Sequence, residues 1–86
     1  MTRSLAIDAD GWADYVYWQS EDRKTLKRVN ALIVDALRDP FGGIGKPEPL
    51  RHRLGGAWSR RIDEVNRLVY LVTDDEIRVL QARYHY

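Results

Sequence analysis

The chain has 86 residues, of which 44% are hydrophobic and 31% charged, with a formal net charge of +1 and no cysteine. A chain of this length folds as one domain with a small core, burying only about 60–65% of the surface it exposes when unfolded, and its apolar content excludes a disordered polymer while the lack of cysteine excludes a disulfide framework or a thiolate metal site. No run approaches the roughly 20 apolar residues of a membrane span, and Met1–Asp10 lacks the basic start and long apolar run of a signal peptide, so a protein of the reduced cytoplasm with no membrane partner is expected.

The elements read from helices to strands, with no repeat or linker to divide residues 1–86. Leu5-Ala6-Ile7 is a short apolar strand, and Asp8 after it is a helix N-cap candidate. Trp12, Tyr15, Val16 and Gln19 then share a face at helical spacing. Ser20, Glu21 and Asp22 place oxygen acceptors and negative charge at a second helix start. Leu26, Val29, Ile33, Ala36 and Leu37 form the apolar stripe of that helix, with Asn30 beside it expected as a hydrogen-bonded buried amide. Asp39-Pro40 ends it, because proline disfavours helical geometry in the residue before it.

Phe41 to Pro49 carries three glycines and two of the three prolines, so it is a loop of tightly specified backbone. Pro49–Leu54 is expected as a strand, and beyond it the apolar period changes to two. Trp58–Ile62, Arg67–Val72 and Ile77–Tyr84 read as strands joined by loops of hairpin length, hence antiparallel neighbours. The expected class is α+β, an antiparallel sheet with two N-terminal helices packed on one face.

Charge is sorted along this plan. Residues 1–22 carry Arg3 against Asp8, Asp10, Asp14, Glu21 and Asp22, whereas residues 46–67 carry Lys46, Arg51, Arg53, Arg60, Arg61 and Arg67 against Glu48, Asp63 and Glu64. A basic face of this kind suits a polyanion such as RNA, although most charge runs are simply solvated surface. Only two histidines are present, His52 and His85, too few for a histidine metal site, and no glycine loop has the spacing of a phosphate-binding loop. Neither a metal nor another cofactor is expected.

What remains is Glu48 and Arg51 leaving the rigid loop, Arg60, Arg61 and Arg67 at strand edges, and His85-Tyr86. Metal-free RNA cleavage needs a base for the 2′-hydroxyl proton, a cation for the phosphorane and an acid for the departing 5′-oxygen, roles that Glu, Arg and His can fill. An aromatic neighbour can stack on an unpaired base. Plainer readings stand beside these. Glu48 suits an exposed turn, Arg67 an exposed strand position, and His85 and Tyr86 a frayed end. Arg60 and Arg61 point to opposite faces, so at most one joins any single site.

Lys46-Pro47-Glu48-Pro49-Leu50, Trp58-Ser59-Arg60-Arg61-Ile62, Arg67-Leu68-Val69-Tyr70 and Arg83-Tyr84-His85-Tyr86 resemble the signature blocks of the YoeB (Txe/YoeB) toxins of the RelE-like superfamily. Tyr15-Val16-Tyr17-Trp18-Gln19 and Asp39-Pro40-Phe41 with Gly45 extend the resemblance from about Trp12 onward. It implies a RelE-like microbial ribonuclease fold and ribosome-dependent endoribonuclease activity on translated mRNA in the A site. It also implies neutralisation by a YefM-like antitoxin. By position Glu48 and His85 match the family's acid–base pair, Arg67 its phosphate-stabilising arginine and Tyr86 its terminal tyrosine. Lys46, Arg51, Arg60, Arg61 and Arg83 are then expected to bind RNA or ribosome. Asn66 departs from the pattern, standing where the family often has histidine. Three tryptophans in a small domain are compatible with a homodimer, and DNA would be met only through the antitoxin complex. The reading from another class is a translation inhibitor that binds RNA or the ribosome without cutting.

Overall fold

The computed structural model describes residues 3–51 and 55–84. Strand β1 (Ser4–Ile7) leads into helix α1 (Ala9–Glu21) and helix α2 (Arg23–Arg38), followed by β2 (Glu48–Pro49), β3 (Ala57–Arg61), β4 (Arg67–Val72) and β5 (Glu76–Gln81). The five strands form one sheet in the order β1-β5-β4-β3-β2. β2 to β5 are antiparallel neighbours, as the hairpin-length loops require. β1 differs from the expected antiparallel arrangement, because it pairs with β5 in parallel and makes the sheet mixed. Its chain leaves through two helices instead of a hairpin, so no tight turn dictates its direction.

α1 lies close against β5 because Gly11 lets it. A Cβ at Gly11 would stand 2.7 Å from the Val79 carbonyl oxygen. About two turns further on, the buried Trp18 donates its indole N–H to the Ala82 carbonyl at 2.7 Å, fixing the far half of α1 over the end of β5. The buried side of α1 is therefore Gly11 and Trp18, not the Trp12–Val16 face the spacing suggested. Trp12 and Val16 are exposed, and Trp12 stacks on Tyr15 with ring centroids 5.7 Å apart.

The two helices meet at Asp22, whose backbone is extended (φ −161°, ψ 98°) and whose carboxylate accepts from the Lys24 and Thr25 amides. It thereby satisfies two of the free N–H groups at the start of α2. Ser20 belongs to α1, its hydroxyl donating to the Tyr17 carbonyl. Val29, Leu32, Ile33 and Ala36 form the buried stripe of α2. Asn30 is exposed and accepts a hydrogen bond from the Tyr15 hydroxyl at 2.8 Å, tying the helices together from outside the core. Asp39 is extended before Pro40, as expected.

The sheet separates two unequal apolar layers. On the helix side Leu68, Tyr70, Ile77 and Val79 pack with Trp18 and the α2 stripe. On the other side Leu50, Ala57 and Val69 form a smaller buried apolar cluster, with Leu71 and Leu80 leaning on them. Register shifts between Val69 and Tyr70, which pair with Gln81 and Val79, leaving Leu80 as the extra residue of a bulge. The strand expected at Pro49–Leu54 is shorter, ending at Pro49 with one further bond from Leu50 N–H to the Ala57 carbonyl; residues 52–54 lie outside the described part.

Candidate active site

Alternation along β3 sends neighbouring residues to opposite destinies. Ala57, Ser59 and Arg61 share the open face, while Trp58 and Arg60 point towards the helices. The open face is where Glu48 and Arg67 meet. Glu48 pairs with Ser59 and Ser59 with Val69, so a row crosses the sheet, and Val69 extends it to Gln81. Arg61 and Arg67 are directly opposed on the same face. Like charges placed so cost stability, and the arrangement gains when a polyanion lies over it.

Arg67 Nη1 stands 3.4 Å from Glu48 Oε1 across this face, with the arginine side chain 15% exposed and the carboxylate side 54%. The long separation and open carboxylate make a weak ion pair, worth about 0–1 kcal/mol. Either partner can release the other when a charged substrate arrives. Lys46 and Arg51 flank Glu48 along the chain, and both are exposed.

What holds Glu48 in place is the loop before it. Gly45 has φ +81°, a Cβ there would meet Leu32 Cδ2 at 2.6 Å, and its carbonyl accepts from Arg61 N–H at 2.7 Å. Lys46 follows at φ 51° immediately before a proline, an uncommon conformation for a residue with a side chain. The chain thus turns sharply onto the sheet edge, and Pro47 and Pro49 stiffen the short strand that carries Glu48.

Arg60 is the clamp beneath this loop. It is 0% exposed. Its guanidinium donates to Asp35 Oδ2 at 2.6 Å, to the carbonyls of Asp39 (2.6 Å), Gly42 (3.0 Å) and Ile44 (3.1 Å), and to the Tyr70 hydroxyl at 2.9 Å. Tyr70 in turn donates to the Pro40 carbonyl. The Ile44 amide, with Arg60 and Arg38 beside it, holds the Asp35 carboxyl down at about 2. Burial pushes the Tyr70 hydroxyl up, against the pull of Arg60. The expectation that Arg60 contacts RNA is therefore corrected: its side chain lies under the sheet and every direction of its fork is used within the protein. Arg61 keeps the outward position.

Arg83 sits away from Glu48, its guanidinium 3.5 Å from the Tyr17 ring centroid and 4.4 Å from that of Tyr84. It lines a hollow of about 370 Å³ together with Asp14, Val69, Gln81 and Tyr84, at the far end of the row that begins at Glu48. His85 and Tyr86 lie outside the described residues. The segment just before them is well anchored: the Tyr84 amide donates to Asn66 Oδ1 at 2.7 Å, and Arg67 N–H donates to the Tyr84 carbonyl at 3.0 Å. Asn66 is itself set by Asp63, whose Oδ1 accepts from the Val65 and Asn66 amides. Burial raises the Asp63 carboxyl, but the hydrogen bonds from Asn66 and Val65 outweigh it and leave the group below its ordinary value. Asn66 thus ties the chain before His85 to the start of β4. This role is invisible in the pattern of residues, since a turn asparagine after aspartate is ordinary turn chemistry.

A family model described as the YoeB-like toxin of bacterial type II toxin–antitoxin systems matches residues 7–86. Toxin YoeB of Streptomyces coelicolor is 57% identical over 82 residues, covering 95% of this chain and 98% of the relative. A YoeB/ParE toxin from Agrobacterium tumefaciens superposes with a TM-score of 0.92 at 42% identity, covering 96% of this chain and 99% of the other. YoeB of Staphylococcus aureus, solved as a dimer and in a YoeB–YefM complex, gives TM-scores of 0.90 and 0.86 at 38% and 37% identity, with both chains covered completely. The chain belongs to the YoeB-like toxins of bacterial type II toxin–antitoxin systems.

Proposed function

We propose that the chain is an endoribonuclease that cuts translated mRNA in the ribosomal A site by acid–base transesterification. The observation that carries this is the loose Glu48–Arg67 pair on the open face of the sheet, 3.4 Å apart with the carboxylate turned to solvent. A phosphodiester entering there takes Arg67 as its cation and frees Glu48 to act as a base. Glu48 removes the 2′-hydroxyl proton, and the 2′-oxygen attacks phosphorus. Arg67 stabilises the phosphorane. His85, which follows the anchored Tyr84 in the chain, protonates the 5′-oxygen as the P–O5′ bond breaks, and Tyr86 orients the nucleotide. The products are a 2′,3′-cyclic phosphate and a 5′-hydroxyl. Lys46, Arg51 and Arg61 steer the backbone of the message or the ribosomal RNA, with Arg83 beyond them.

The partner in the cytoplasm is a YefM-like antitoxin, with DNA met through that complex, and two toxin copies associate as in the S. aureus dimer. The test is primer extension on translated message with the parent, Glu48→Gln, Arg67→Ala and His85→Gln. New 5′ ends at codon-related positions with the parent, and their loss in the variants, are expected. Arrested ribosomes without new ends would instead identify a non-cutting inhibitor.

A further inference from the structure

Ser59 is completely buried, and among the described residues its hydroxyl oxygen has no hydrogen-bond partner. It is the one buried side-chain oxygen or nitrogen left in that state among them. Buried hydroxyls are normally satisfied, and one that is not lowers stability. Alanine would fill the same place on the strand without that penalty. The place is chemically pointed, because Ser59 is the direct cross-strand partner of Glu48 on the open face. Such partners have Cβ atoms about 4.5–5.5 Å apart, within reach of a glutamate side chain that changes rotamer. In the resting protein the Glu48 carboxylate is turned instead to Arg67.

We propose that Ser59 is a positioning residue for Glu48, its hydroxyl taking up the carboxylate when a substrate phosphate draws Arg67 away. The proposal rests on the reading of Glu48 as an acid–base group. A base released from its cation needs a second partner to hold one oxygen while the other faces the 2′-hydroxyl, and the Ser59 hydroxyl is a donor with no other partner among the described residues. Its outlay in stability is then repaid only during the reaction.

The experiment compares Ser59→Ala, Ser59→Thr, Glu48→Gln and the double variant Glu48→Gln/Ser59→Ala, each released from antitoxin. Thermal unfolding and single-turnover cleavage of ribosome-bound message are measured. Ser59→Ala is expected to melt at or above the parent's temperature yet cut about ten- to a hundredfold more slowly at saturating ribosome, the size of one hydrogen bond to a charged group. Ser59→Thr, which keeps the hydroxyl but adds a methyl to a full site, is expected to melt lower and to cut near the parental rate. In the Glu48→Gln background, Ser59→Ala should cost nothing further. Parental cutting by Ser59→Ala, an equal loss in both backgrounds, or a Ser59→Ala protein that fails to fold would each overturn the proposal. Full activity of Glu48→Gln would overturn the reading of Glu48 as well, which separates the two failures.

Discussion

Replacing Arg60 with methionine removes one guanidinium and leaves a carboxylate, three carbonyls and a hydroxyl to find other partners. Some are already provided for. Asp35 keeps the Ile44 amide and Arg38, and Tyr70 keeps the Pro40 carbonyl. Breaking a buried pair from one side costs about 3–5 kcal/mol, and because the loop carbonyls can turn to water the lower end, about 3 kcal/mol, is expected here. A domain of this length has about 4–13 kcal/mol in total, so the variant loses a quarter to most of its stability. With a urea slope of about 1–2 kcal/mol/M, the unfolding midpoint falls by about 1.5–3 M. Arg61→Met is the matched control, one residue along the strand and exposed, and it should stay within about 0.5 kcal/mol of the parent. Arg60→Lys should resemble methionine more than the parent, because an ammonium cannot address a planar fork of acceptors. Equal midpoints for Arg60→Met and Arg61→Met, or a loss below about 1 kcal/mol for the former, would refute the clamp.

Acid should weaken the same clamp. The Asp35 carboxyl sits at about 2 in the folded chain against an ordinary 3.8, so the stability it contributes is complete above pH 4 and lost as pH falls towards 2. Urea midpoints measured across that window should drop, and Asp35→Asn should be weaker at pH 7 with a flatter slope below pH 4. Gly45→Ala combines a left-handed backbone with a collision against Leu32, and should lose about 1–3 kcal/mol by chemical denaturation. Asn66→Ala leaves the Tyr84 amide without its acceptor; a loss of about 1 kcal/mol in stability should accompany a much larger fall in cleavage, read by primer extension. Similar losses in the two measurements would argue that Asn66 serves the turn alone.

The helices and the three central strands were legible because their signals are local: the stripe from Val29 to Ala36, the extended residue before Pro40, and alternation from Trp58 onward. The parallel pairing of β1 was not, since direction in a sheet is set by the path between strands and that path runs through two helices. The buried face of α1 was misjudged because Gly11 is invisible to an apolar count, although its missing side chain decides where the helix lies. In the site, Glu48 and Arg67 could be named but their approach could not be measured. Alternation told that Arg60 and Arg61 part company, and only the structure tells which is enclosed. Ser59 escaped because a serine in a strand is unremarkable until its partners are seen, and Asn66 showed only as a departure from the family pattern, its partner Tyr84 lying 18 residues further along the chain.

The neighbours Arg60 and Arg61 have a genetic corollary. Survivors selected for resistance to this toxin should fall into two kinds according to which of the two is mutated. Changes at the exposed Arg61 weaken killing while the protein still accumulates. Changes at the enclosed Arg60 silence the gene product by removing it, through misfolding and proteolysis.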